Sequence, residues 1–336
     1  MSMSATDVVS NNPWKALVQK SPIVEWIDVS LRGSGQVIYM DNPLTGLLNF
    51  VALFWGAYAE GIPAVAWGSL VATFLGTAVA YGIPGVNRGN LKAGLYGFNG
   101  MLLGAGLPTF LGSTPLMWAI LVFAAIVVVF VMITVAEVMS RFKVPAFTFP
   151  FSITLWIVML ASYKWMHVSI TGLGHSALSV QVGGSTAALS GMNMINGALN
   201  GVSEVYFITN PISGIIFLLA LIVESRWCTA LTLFGAVVGA AVGALMGADS
   251  KAIVDGMWGY SAALTAPAIG CIFLKPSLKV MAYMVLATIW CVFVQAGAYT
   301  FFGTFGIPTF TFPFQLASWM FLIGIYGLAD KEVQAA

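Results

Sequence analysis

The sequence predicts an all-α polytopic membrane protein, made of two inverted repeats of five transmembrane helices with a substrate path between them. Three observations carry that expectation: long uncharged apolar runs, a prolyl motif that occurs twice, and a one-sided distribution of basic residues. Of 336 residues, 59% are hydrophobic and 7% charged, against roughly 25% charged in soluble domains. Thr114–Ala136 runs for 23 residues without a charge and Val280–Ala329 for 50. A bilayer crossing needs about 20 mainly apolar residues. The net charge of +1 argues against a nucleic-acid partner, which needs a concentrated basic surface. The expected surroundings are a lipid bilayer.

Residues 1–20 are polar and lack a continuous apolar core, so they read as a disordered or surface tail with no cleavable signal peptide. Ser21–Tyr39 carries Glu25, Asp28 and Arg32, too polar for a full crossing but suited to the interface or to a partial dip. Crossings are expected at Leu44–Ala59, Ile62–Ile83, Ala93–Leu111, Pro115–Val138 and Thr148–Trp165. Met166–Ser190 is a Gly/Ser/Thr-rich connection that holds both histidines, and Gly191–Phe207 is a half-length segment rich in small and amide residues. Five further crossings follow at Ile212–Val223, Trp227–Met246, Met257–Phe273, Val280–Phe302 and Phe310–Leu328. The resulting organisation is an amino-terminal tail (1–20), a first repeat (21–170), a connecting loop (171–190), a second repeat (191–329) and a carboxy-terminal tail (330–336).

The repeat rests on three matched stretches. VPAFTFPF at Val144–Phe151 returns as IPTFTFPF at Ile307–Phe314, with six of eight letters identical and an offset of 163. QVIYMDNP at Gln36–Pro43 matches EVYFITNP at Glu204–Pro211, and GLYGF at Gly94–Phe98 matches GMWGY at Gly256–Tyr260, with offsets of 168 and 162. Prolines inside apolar spans remove backbone donors and break or start helices, which is tolerated at membrane depth only in protein-lined or wet surroundings. Matching breaks in two halves point to a substrate path between them. An odd number of crossings per unit inverts the second unit. With the amino terminus inside, eleven Lys and Arg residues fall at inner span ends and two, Lys164 and Lys251, at outer ones. That bias puts both termini in the cytoplasm of a cell membrane.

Enzymatic motifs are missing: there is no HExxH, GxSxG or GxxxxGK[ST]. His167 and His175 fall in the expected outer loop, which argues against a paired-imidazole pore, and Cys228, Cys271 and Cys291 read as packing residues. Among carboxylates near membrane depth, Glu204 stands out because its repeat partner is the amide Gln36; the two share acceptor oxygens, not charge. Thr148 and Thr311 hold the same place in both prolyl motifs. Their hydroxyls can line a path, or can cap the helices that Pro150 and Pro313 begin.

These residues resemble the urea transporter family. Its LPxxTxPF signature is matched by both prolyl motifs, except that Val144 and Ile307 replace leucine; GLYGFNG at Gly94–Gly100 and NGALNGVSEV at Asn196–Val205 are similar to that family as well. The resemblance covers roughly residues 20–330. It implies a homotrimer in which each protomer holds a central pore between its inverted halves, each half contributing a half-membrane re-entrant helix. It implies an oxygen ladder at Gln36, Glu204 and Val205, and a pore centre at Thr148 and Thr311. From the residues alone, Phe147, Phe149 and Phe151 and their counterparts Phe310, Phe312 and Phe314 are of a type more often found in the core or facing lipid; one of the three at each site can face inward, and Phe147 and Phe310 are the candidates. A flat slot is implied at Tyr39, Phe98 and Leu102, with Tyr260 and Leu264 as counterparts. Ser261 and Ala262 depart from Asn99 and Gly100 at the matched positions.

Solute chemistry fits that resemblance. Urea is flat and neutral with four N–H donors, so a selective pore offers mainly acceptors between apolar walls. An ion stripped of water finds little compensating charge here. No cofactor or nucleotide is required. The leading expectation is passive facilitated transport of urea; the alternative is a proton-coupled secondary carrier of a small neutral amide, working through Glu204.

Overall fold

The computed structural model describes residues 13–176 and 188–335, with side chains as far as Leu328. Helix α1 (Pro13–Lys20) and α2 (Pro22–Gln36) precede α3 (Pro43–Ala59), α4 (Pro63–Gly82) and the short α5 (Arg88–Lys92). Next come α6 (Phe98–Phe110), α7 (Pro115–Ser140) and α8 (Phe149–Ser162). The second set opens with α9 (Gly191–Ser203), extended by a 3-10 turn at Glu204–Tyr206, then α10 (Pro211–Ile222), α11 (Arg226–Leu245) and the short α12 (Ser250–Val254). It closes with α13 (Tyr260–Pro267) and a π-helical turn (Ala268–Ile272), α14 (Leu278–Gly303) and α15 (Phe312–Ala335).

A polar residue followed by proline starts several of these helices, because proline lacks the N–H that a first turn leaves unpaired and the polar side chain caps the next ones. Asn42 Oδ1 accepts from the Leu44 N–H at 2.9 Å, and Asn210 Oδ1 accepts from those of Ile212 and Ser213 at 3.0 and 3.1 Å. Thr114 caps α7 in the same way, through the Met117 N–H at 3.2 Å.

The protein is a polytopic helical membrane protein. Among the described residues, α4, α7, α11 and α14 are each long and apolar enough to cross a bilayer, and α9 with α10 forms a pair bent by 72°. Shorter apolar helices include α3, α8 and Phe312–Leu328 of α15. The expected spans at Ala93–Leu111 and Met257–Phe273 are therefore shorter as helices than their apolar lengths. Gly94 (φ 79°) and Gly256 (φ 83°) turn the chain before α6 and α13 begin. Both glycines lie hard against the preceding half-length helix: a Cβ would stand 2.3 Å from the nitrogen of Gly33 or Gly201 respectively. Ser21–Tyr39, expected at the interface or dipping partway, forms α2 with Asp28, Ser30 and Ser34 buried. Pro13–Lys20 is a surface helix where a tail was expected, and its Trp14 donates to Asp28 Oδ1 at 2.6 Å. Residues 330–335, expected as tail, continue α15. Residues 1–12 of the amino-terminal tail and 177–187 of the connecting loop lie outside the described residues.

Contacts between the two sets are reciprocal. Thr45 donates to the Ala220 carbonyl at 2.9 Å and Ser213 to the Ala52 carbonyl at 2.8 Å; Thr45 and Ser213 are 168 positions apart, as are Ala52 and Ala220. Trp156 donates to the Pro308 carbonyl and Trp319 to the Pro145 carbonyl, both at 2.9 Å; here each pair is 163 apart. A two-fold relation generates such exchanges, where one residue meets a second and their counterparts meet in turn.

Candidate functional site at the facing helix breaks

Each prolyl motif enters its helix through a residue in the left-handed region, Phe147 (φ 50°) and Phe310 (φ 49°). That conformation costs a side-chain-bearing residue about 1–2 kcal/mol, and it persists only where the surroundings hold it. Both phenylalanines are buried. The reversal brings the next residues face to face: Thr148 Oγ1 and Thr311 Oγ1 are 2.7 Å apart and hydrogen-bonded. The threonines are 3% and 4% exposed.

A third side chain closes the cluster. Gln315, one turn beyond Thr311 on α15 and 0% exposed, directs Nε2 to Thr148 Oγ1 at 2.8 Å, Ser152 Oγ at 2.9 Å and Thr311 Oγ1 at 3.0 Å. Ser152, one turn beyond Thr148 and the counterpart of Gln315, donates to the Thr148 carbonyl at 3.4 Å. Residues four apart share a helix face, so both partners follow from the facing threonines. Thr148 makes no side-chain cap to α8, which corrects the capping reading for that residue. The cap comes instead from Asn99 Oδ1, which accepts from the Phe151 N–H at 3.0 Å.

Aromatic rings flank the cluster in two matched groups. In the first, Phe147 lies 5.4 Å from Phe273 and 4.8 Å from Phe314, while Tyr39 lies 6.1 and 6.3 Å from the same two rings. In the second, Phe310 lies 5.8 Å from Phe110 and 5.3 Å from Phe151, while Phe207 lies 5.8 and 6.1 Å from them. Each group draws two rings from each set of helices. Tyr39 (φ 67°) and Phe207 (φ 62°) are also both left-handed. Edge-to-face pairs at such spacings add about 0.5–1.5 kcal/mol each beyond burial, so the rings form a stiff frame.

The ends of the half-length helices carry different polar groups. Gln36 Nε2 donates to the Ala93 carbonyl at 2.8 Å. Ala93 lines a cleft of about 320 Å3 with Glu25, Asp28, Arg32, Asp41 and Lys92. There Arg32 bridges Asp28 at 2.6 Å and Asp41 at 2.7 Å. At the other end Glu204 accepts from Thr209 Oγ1, and Asn200, the counterpart of Arg32, donates to the Val254 carbonyl at 2.8 Å.

The remaining expected residues fall around this centre. Tyr39 donates its hydroxyl to the Leu264 carbonyl at 2.9 Å, and Tyr260 donates to the Phe310 carbonyl at 2.9 Å. Phe98, Leu102 and Val205 are buried in the same apolar core. Sequence reasoning did not single out Phe110, Phe207, Phe273, Ser152 and Gln315. Phe207 was within reach, being 168 positions from Tyr39 in the matched stretches. No group of three or more His, Cys, Asp or Glu suited to a metal occurs among the described residues, and both histidines are exposed in the loop after α8.

Paired breaks inside a helical membrane protein, framed by rings and centred on hydroxyls, define a transporter of the broken-helix class. The chain belongs to the urea transporter family, which matches residues 27–325. It is 26% identical over 310 residues to Urea transporter 1 of Capra hircus, covering 91% of this chain and 79% of that relative. Urea transporter 1 of Ovis aries gives the same identity and coverage. Urea transporter 1 of Rattus norvegicus is 24% identical over 322 residues, again covering 91% and 79%.

Proposed function

We propose that the protein conducts urea passively along a path that runs between the two sets of helices and passes the Thr148–Thr311 pair at its midpoint. The observation that carries this reading is the 2.7 Å contact of those hydroxyls between two matched ring groups. Rings on either side restrict the solute to a flat shape. Carbonyls at the ends of α2 and α9, with Gln36 and Glu204, supply acceptors for urea's N–H groups along the way. Tyr39, Phe98 and Leu102, and Tyr260 and Leu264 on the other side, wall the slot, with Val205 on the ladder. Several weak sites in series let solute leave as readily as it enters.

The reciprocal hydrogen bonds support reading 21–170 and 191–329 as inverted repeats, and the basic-residue bias supports cytoplasmic termini in the cell membrane. Family membership supports a homotrimer with one path per protomer. Urea efflux from proteoliposomes tests the centre. Thr148→Val and Thr311→Val remove a polar atom at constant shape, and each is expected to slow efflux about fivefold, the equivalent of roughly 1 kcal/mol for a hydrogen bond. A correctly folded double variant that conducts at the wild-type rate rejects the midpoint. Uptake against a urea gradient under an imposed pH difference would reject passive conduction in favour of the carrier.

A further inference from the structure

We infer that Gln315 sets the solute specificity of the pore by fixing the protons of the threonine pair. The count of hydrogens leads there. A carboxamide has two N–H hydrogens, and Gln315 Nε2 faces three hydroxyl oxygens, those of Thr148, Ser152 and Thr311. An amide nitrogen does not accept, so those oxygens act as acceptors toward Gln315, two of them sharing one hydrogen, and their own protons point elsewhere. Ser152 sends its proton to the Thr148 carbonyl. The two threonines hold two protons, and their mutual bond uses one. One threonine proton is left without an acceptor in the cluster. The other end of the same amide is open too: Gln315 Oε1 is buried and has no hydrogen-bond partner among the described residues.

Buried polar groups are almost always paired, so a donor and an acceptor left open in one dry cluster mark a place that a ligand completes. The ligand that completes both carries a carbonyl oxygen and an N–H on one small flat frame, as urea and simple amides do. The threonine hydroxyl donates to the carbonyl oxygen of the solute, and Oε1 accepts one of its N–H groups. This inverts the polarity of the centre relative to the acceptor-lined ends, and it makes the carbonyl, not only the amines, a recognised feature. With the amide turned over, Oε1 would draw in the hydroxyl protons and Nε2 would present N–H donors to the solute where the acceptor now stands. The inference rests on the proposed path through the threonine pair.

Thiourea separates the possibilities, since it keeps the N–H donors and flat shape of urea but replaces the carbonyl oxygen with a weakly accepting sulfur. Efflux of both solutes is measured from proteoliposomes holding the full-length protein, Gln315→Met or Gln315→Asn, with folding checked by size exclusion. Wild type is expected to pass urea at least tenfold faster than thiourea. Both variants are expected to lower that ratio threefold or more, mainly by slowing urea. A wild type that passes both solutes equally overturns the inference, as does a folded variant with the wild-type ratio or an equal slowing of both solutes. If Thr148→Val/Thr311→Val also conducts normally, the path itself is misplaced. If that double variant is slow while the Gln315 variants keep the ratio, the assignment to Gln315 alone fails.

Discussion

The turn after α2 and the turn after α9 are built on the same backbone, with a left-handed aromatic residue in each and matched ring distances around it. Beyond the shared asparagine caps, Asn42 and Asn210, their polar chemistry differs. Tyr39 carries a hydroxyl that holds the Leu264 carbonyl, whereas its counterpart Phe207 has none. Gln36 stands where the other half has Glu204, Asn99 where it has Ser261, and Ser152 where it has Gln315. Arg32 ties two carboxylates at one end, and Asn200 ties a single carbonyl at the other. Backbone reversals and ring packing are thus held in common, because both are needed to pack broken helices against each other. Away from the threonine pair, the helix caps and the reciprocal bonds, hydrogen-bonding groups differ between the halves, since a flux in either direction needs no identical chemistry at the two ends.

The largest effect is expected where the two halves are most alike. Gly94→Ala and Gly256→Ala each place a Cβ 2.3 Å from a backbone nitrogen, in a conformation that disfavours any side chain. Backbone cannot yield as a flexible side chain can. Each substitution is expected to cost about 4 kcal/mol or more, read as loss of folded protein in detergent and a steep fall in melting temperature. If one glycine tolerates alanine and the other does not, the backbone match is looser than the distances indicate.

An intermediate effect distinguishes the capping of α8 from its counterpart. Asn99 satisfies the Phe151 N–H, so Asn99→Ala is expected to destabilise the protein by about 1–2 kcal/mol. Ser261, shorter by an amide group, is expected to tolerate alanine within about 0.5 kcal/mol. Thermal denaturation of both variants side by side measures the difference, and equal losses would mean that Ser261 does comparable work by another route.

Much of this frame was readable in the sequence, because membrane spans, prolines and repeats write themselves into composition and spacing. Thr148 and Thr311 could be matched by eye, and they meet. What could not be read is what depends on the other half. The ring groups exchange members, Phe314 joining Phe147 and Phe151 joining Phe310, and only the packed structure defines that exchange. Gln315 sits in an apolar helix where one amide looks incidental; its place four residues past Thr311 acquires meaning only once the threonines face each other. The helix starts at Phe98 and Tyr260 were missed because apolar periodicity does not register a left-handed glycine. Helix α1 was missed for a related reason, its eight residues burying none of their side chains.

The smallest expected effect concerns the hydroxyls that only one half possesses in each place. Tyr39→Phe makes the first ring group chemically like the second, and Tyr260→Phe makes the start of α13 like that of α6. Each loses a buried hydrogen bond, to Leu264 and to Phe310 respectively, at about 1 kcal/mol of stability. The freed carbonyls, however, become additional acceptors in the wall of the proposed slot. Urea efflux is therefore expected to change by less than about threefold for either variant, below the roughly fivefold assigned to loss of a midpoint hydrogen bond. Flux and stability thus separate two uses of the same hydroxyl. A variant that loses stability and conducts normally assigns the tyrosine to the frame. A variant that keeps its stability and conducts several times more slowly assigns it to the path, and the matched rings would then conceal a functional asymmetry that their geometry alone does not display.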